Sequence, residues 1–220
     1  MADVVISAQQ VKELRDLTGC GMMDCKRALQ KTEGNVDEAI KLLRESGQMK
    51  ADKKASRIAA EGIIGVYQHH DGRFAVLVEL NSETDFVAKN EAFKKLAADI
   101  AMHIGAYAPK YVRRDEVPAD VIAAEREIQL NLTLNEGKPA KIAEKIVDGR
   151  MEKFFQENCL EEQEWVLDPN MTVLDAVKEL ITKMGENIKI RRFVRFEKGE
   201  GLEKRSDNFA EEVMKQAGQV

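Results

Sequence analysis

The sequence predicts an α+β protein: a three-helix bundle at the amino terminus, then a core of small antiparallel sheet packed with helices and an antiparallel helical hairpin. Three observations predict it. Residues 1–47 hold three short runs of helical period, closed by Gly19, Gly34 and Gly47. The apolar period then changes to two on either side of His70-Asp71-Gly72, as in a β-hairpin. Helical period returns between about 118 and 157 in two long runs parted by Gly137-Lys138-Pro139.

The first helix is announced by Ser7 and Gln10, spaced as a capping box, with Ile6 and Val11 at the staple positions. Val11, Leu14 and Leu17 form its apolar stripe up to Gly19. A second helix carries Ala28 and Leu29, and a third, capped by Asn35 and Glu38, carries Ala39, Ile40, Leu42 and Leu43 as far as Gly47. A bundle of this size is marginal alone, which suggests a recognition module or a structural cap docked on something larger. Residues 48–60, with Lys50, Lys53 and Lys54 and little apolar content, are expected as a polar linker, in part helical.

The core is expected over 61–200. Ile63, Ile64 and Val66 precede the Asp-Gly turn, and Phe74, Val76, Val78 and Leu80 alternate after it. The polar run Asn81-Ser82-Glu83-Thr84 leads into Asp85-Phe86-Val87, and Phe93, Leu96, Ala97, Ile100 and Ile104 resume helical spacing. The helical hairpin, about 118–157, carries Val121, Ile122, Ile128 and Leu132 on one arm and Ile142, Ile146, Val147, Met151, Phe154 and Phe155 on the other. A short strand is expected at Trp165-Val166, then a helix capped by Thr172 and Asp175 with Leu174, Val177 and Leu180 inside. Ile188, Ile190, Val194 and Phe196 read as a third strand, although Arg192 breaks the alternation. Residues 201–220 are expected as a helical module with Phe209 and Val213 on its apolar face.

Composition narrows the function. An apolar share of 44% in 220 residues is enough to bury a core. A net charge of −5 without a basic run argues against direct nucleic-acid binding and for a protein partner. Neither a signal peptide nor a stretch of about 18 apolar residues is present, so no membrane association and a cytoplasmic location are expected. Cys20, Cys25 and Cys159 fit neither a zinc pattern nor a disulfide framework and are read as reduced structural thiols.

Catalytic constellations are thin. His69 and His70 are adjacent in a turn, and His103 falls off the apolar stripe of its helix, where it is read as structural or exposed. No phosphate-cradling glycine loop occurs and the carboxylates are scattered, so neither enzymatic activity nor a cofactor nor a metal is expected.

Longer motifs carry a resemblance. Leu14-Arg15, the run Thr18-Gly19-Cys20-Gly21-Met22-Met23-Asp24-Cys25-Lys26-Arg27-Ala28-Leu29, and Gly34-Asn35-Val36-Asp37-Glu38-Ala39 resemble the ubiquitin-associated-like amino-terminal domain of the elongation factor Ts family. Glu61-Gly62, Tyr67-Gln68-His69 and above all Glu83-Thr84-Asp85-Phe86-Val87-Ala88-Lys89-Asn90 resemble the core signature of that family, and Gly137-Lys138-Pro139, Ala143-Glu144-Lys145 and Gly149-Arg150 its later helices. With one sheet hairpin and one helical hairpin, the chain resembles the short form of the family, for which a homodimer is compatible.

The resemblance implies a guanine nucleotide exchange factor for the elongation GTPase EF-Tu, which binds EF-Tu carrying GDP, disturbs its magnesium and phosphate sites, and holds the nucleotide-free state until GTP enters. By the same resemblance Phe86 enters between two helices of the GTPase, Thr84 and Asp85 make the polar contacts that direct it, and Val87 backs it. Residues alone leave open that Phe86 and Val87 simply cover the end of the sheet. Arg15, Gly21, Met22, Met23 and Lys26 are implied as contacts of the amino-terminal module, although Met22 and Met23 suit a core gap equally well. Tyr67 and His69 are expected on the same binding face as Phe86. The rival readings are a ubiquitin-associated-like adaptor without exchange activity and a small hydrolase using scattered carboxylates.

Overall fold

The structure is a computed structural model that describes residues 6–202. Its fold is α+β, as the sequence predicts. Helices α1 (Ala8–Thr18), α2 (Met22–Lys31) and α3 (Val36–Lys54) form the amino-terminal bundle. The α1 box is made in both directions: the Gln10 amide donates to Ser7 Oγ (3.2 Å) and the Ser7 amide to Gln10 Oε1 (2.9 Å). Gly19, at φ 65°, ends the helix, its amide donating to the Arg15 carbonyl. Val11, Leu14, Cys25, Ala28, Leu29, Ala39 and Leu43 fill a small core. Leu17, expected on that stripe, is instead 71% exposed and lines the cleft between the bundle and the body. The bundle core already closes one turn earlier, at Leu14.

The third helix was expected to stop at Gly47; it runs on to Lys54. Gly47 serves close approach rather than termination, because α3 crosses helix α8 (Val173–Met184) at this point, and a Cβ on residue 47 would sit 2.9 Å from Thr182 Oγ1. Beyond it Ala51 is buried in the main core and Asp52 pairs with Lys178 at 2.8 Å, while one turn before it Arg44 reaches Glu179 at 3.4 Å. Residues 48–54, read as the first half of a polar linker, are therefore helix docked on the body.

Strands β1 (Glu61–Gln68) and β2 (Phe74–Ser82) form the expected hairpin, and β5 (Ile188–Glu197) pairs with the other side of β2, giving an antiparallel sheet of order β1-β2-β5. The break at Arg192 has a structural cause. Glu79 stands opposite Arg192 and Leu80 opposite Ile190, so Arg191 is the extra residue of a β-bulge. Both guanidinium groups then reach Glu79, at 3.0 and 2.7 Å.

Val76, Val78, Leu80, Ile188 and Ile190 face the main core together with Phe93, Ile100 and Ile104 of α5 (Glu91–Tyr107) and Val177, Leu180 and Ile181 of α8. The four-residue helix α4 (Asp85–Ala88) links β2 to α5. The helical hairpin is α6 (Ala119–Asn135) and α7 (Ala140–Asn158), tied across by Arg126 with Asp148 (2.7 Å) and Arg150 with Glu136 (2.9 Å). The strand expected at Trp165-Val166 is β3 (Glu164–Trp165), and it has a partner that the sequence did not suggest, β4 (Asp168–Thr172). The helical module expected over 201–220 lies, apart from residues 201 and 202, outside the described residues. Among the described residues no helix is long and apolar enough to cross a membrane.

Candidate functional site

The Glu83-Thr84-Asp85-Phe86-Val87 segment sits where the sheet opens. Ser82 pairs with Ile188, the last rung between β2 and β5, after which the two chains part. Two carboxylates hold them there. Glu83 Oε1 accepts from the Asn187 amide at 2.6 Å, and Glu186 accepts from the Thr84 amide (3.0 Å) and the Thr84 hydroxyl (2.7 Å). Asn187, itself buried, donates its side-chain amide to the Arg57 carbonyl at 2.7 Å, and Arg57 reaches Glu83 at 3.4 Å. The chain leaving α3 is thereby bound to the same point.

Thr84 is extended (φ −129°, ψ 158°), and α4 begins directly after it. Backbone bonds from Lys89 to Asp85 and from Asn90 to Val87 close the turn, and Asn90 Oδ1 then caps α5 by accepting from the Ala92 amide at 2.8 Å. Val87 and Ala88 belong to the main core. Phe86 points the other way and is 82% exposed. The two readings of the pair thus divide between its members: Val87 covers the end of the sheet, and Phe86 does not. Asp85 is on the surface with Lys89 at 2.6 Å, a hydrogen bond that holds the Asp85 carboxyl below its usual range.

A phenylalanine left in water forgoes roughly 1.5–3 kcal/mol of burial. Here it does so on a turn anchored from both sides, so its direction is set before any encounter. Such a side chain suits an interface anchor, the large aromatic that fills a partner's pocket.

The five candidates of the amino-terminal module are all exposed and gather at the α1–α2 turn: Arg15 near the end of α1, Gly21 as the N-cap of α2, and Met22, Met23 and Lys26 in its first turns. Met22 is 54% and Met23 63% exposed, which removes the core-filler reading. Tyr67 and His69, expected on the same binding face as Phe86, are at the hairpin-turn end of the sheet, away from Phe86. Gln68 pairs with Ala75 while Glu61 pairs with Ser82, so roughly 20 Å of strand separates the two ends. Tyr67 Oη lies 3.1 Å from His69 Nδ1, and His69 stacks on Phe74, a local arrangement about the turn. His103 is fully buried and hydrogen-bonded, a structural group. Glu186, Asn187 and Arg57 had no signal in sequence, because isolated polar residues acquire this role only when three distant segments meet.

Among the described residues no group of three or more His, Cys, Asp and Glu side chains is placed to hold a metal ion. A clamped, exposed aromatic at a sheet end and an exposed methionine pair on a docked bundle are features of a protein that works through contact with another macromolecule. The chain belongs to the elongation factor Ts family, whose model, described as Elongation factor TS, matches residues 2–200. It is 57% identical over 212 residues to an elongation factor Ts of Acetivibrio thermocellus, covering 96% of this chain and 99% of that one. Its identity to the elongation factor Ts of Desulforamulus reducens is 58% over 211 residues, with 96% and 97% covered. For that of Carboxydothermus hydrogenoformans it is 57% over 209 residues, with 95% and 96% covered. The chain is thus a translation elongation factor.

Proposed function

We propose that this chain is the guanine nucleotide exchange factor of EF-Tu: it binds EF-Tu carrying GDP, disturbs the magnesium and phosphate sites, releases GDP and holds the nucleotide-free state until GTP enters. The reading is supported chiefly by Phe86, an apolar ring held out in water on a four-residue helix whose neighbours Val87 and Ala88 are buried. Weakening GDP about 10⁴-fold requires the factor to favour nucleotide-free EF-Tu by about 5.5 kcal/mol over the GDP form. Surface ion pairs contribute about 0–1 kcal/mol each. Truncating an aromatic hot spot costs about 2 kcal/mol or more, so an anchor whose pocket opens only in nucleotide-free EF-Tu supplies a principal part of the coupling. Asp85 lies on the surface beside the ring and directs its entry, while Arg15, Gly21, Met22, Met23 and Lys26 dock the module on the same partner.

The test is release of a fluorescent GDP from EF-Tu. Phe86→Ala slows it at least tenfold with circular dichroism unchanged, whereas unchanged release removes the proposed role and leaves the adaptor reading. Location in the cytoplasm, with EF-Tu, belongs to the same proposal. So does a homodimer, supported by the outer face of the sheet, where Ile64, Val66, Leu77, Val194 and Phe196 are exposed together. Sedimentation equilibrium decides it, a monomer at all concentrations being the negative result.

A further inference from the structure

An antiparallel ladder that splays leaves the next backbone amides without acceptors. The pairing of β2 with β5 ends at the Ser82–Ile188 rung, beyond which Glu83 and Thr84 continue one segment while Asn187 and Glu186 lead into the other. There a carboxylate from each segment takes an amide of the other: Glu83 that of Asn187, and Glu186 that of Thr84. Side chains thus bridge the two segments just past the end of the ladder. Bonds to a charged acceptor are about twice as strong as neutral ones. Glu186 makes a pair of them to the residue immediately before α4.

We propose that Glu186 is a positioning residue for Phe86, fixing through Thr84 the direction in which the ring projects; this rests on the reading of Phe86 as the anchor. Val87 and Ala88 attach the turn to the core, but two small buried side chains do not by themselves set the angle at which a short helix leaves a strand. The grip of Glu186 on Thr84, added to the Ser82 hydroxyl that donates to the Thr84 carbonyl at 2.9 Å, supplies that constraint. Through Asn187 and Arg57 the clasp also joins the chain leaving α3, so the docked module and the ring share one rigid base. The Thr84 hydroxyl accordingly points inward to Glu186 and works through it rather than on the partner.

Misplacement of a reacting or anchoring group by about 1 Å costs up to about a hundredfold in rate. Glu186→Ala lowers the maximal rate of GDP release about fivefold or more, and moves the half-saturating factor concentration less than twofold because the module still docks. Thr84→Val, which keeps the amide and loses the hydroxyl, slows release in the same sense, and the double variant is no slower than Glu186→Ala alone. Thr84→Ser, which retains both donors, restores at least half of the rate that Thr84→Val loses. If Phe86→Ala slows release while Glu186→Ala stays within twofold of wild type, Glu186 does not position the ring and the exchange reading stands. Additive losses in the double variant overturn the inward role of Thr84. Unchanged release by Phe86→Ala overturns the exchange reading and this proposal with it. Should Glu186→Ala melt below the assay temperature, Thr84→Val, whose rate depends on the same clasp, decides between these outcomes.

Discussion

Gly47 of α3 and Thr182 of α8 meet so closely that a methyl group on residue 47 would lie 2.9 Å from Thr182 Oγ1 and 3.3 Å from its Cγ2. Thr182 cannot turn aside freely, because its hydroxyl already donates to the Lys178 carbonyl at 3.0 Å. Gly47→Ala gains about 1 kcal/mol of helix propensity, but overpacking costs about 1–3 kcal/mol. A net loss of about 1 kcal/mol is expected in urea unfolding. In a Thr182→Ala background the same change is neutral or stabilising; a gain in the wild-type background would show that the crossing is not tight.

Gly47 also marks where sequence and fold part company. Period, caps and turn signals are local, so the helices, the hairpin and the Ser7 and Thr172 boxes were legible. The same glycine that ends a helix in isolation permits a crossing when another helix arrives, and nothing near residue 47 announces residue 182. Arg192 was legible as an anomaly; its meaning, a bulge placing two arginines on Glu79, needed the register of β5. At the candidate site the motif drew attention to Phe86 and Val87 together, whereas opposite burial of the two requires knowing which way a single helical turn leaves the sheet.

His103 makes stability depend on pH. Gln163 Nε2 donates to the Glu157 carbonyl, turning Oε1 towards His103 Nε2 at 3.0 Å, while His103 Nδ1 accepts from the Val166 amide at 3.3 Å. That arrangement needs the neutral ring, and burial lowers its pKa below the ordinary 6.5. The unfolded chain takes up the proton first as pH falls. This stability is therefore complete above about 6.5 and is lost below it, with a slope of at most about 1.4 kcal/mol per pH unit. His103→Leu flattens denaturant midpoints between pH 5 and 7 relative to wild type; identical slopes would exclude the assignment.

Glu161 acts in the opposite sense. Burial pushes its carboxyl up to about 7, with Arg113 pulling it part of the way back. A carboxyl raised in the fold costs stability as pH rises from its unfolded value, near 4.5, through its folded one. Glu161→Gln should thus stabilise the protein at pH 8 by on the order of 1 kcal/mol and have no effect at pH 4.5. A variant less stable than wild type at pH 8 would mean that the charge is compensated in the fold.

Phe86 and Val87, adjacent in sequence, separate the proposed function from stability. Phe86 is 82% exposed and Val87 9%. Phe86→Ala removes a side chain with few neighbours to lose, so the unfolding free energy stays within about 0.5 kcal/mol of wild type. Val87→Ala opens a cavity at the end of the sheet, for about 1–2 kcal/mol. On the proposed role the order reverses in nucleotide release: Phe86→Ala is severely slowed, and Val87→Ala, assayed well below its melting temperature, is closer to wild type. Equal losses of release in both variants, with the stability difference intact, would mean that the partner reads the whole turn and not the ring that projects from it.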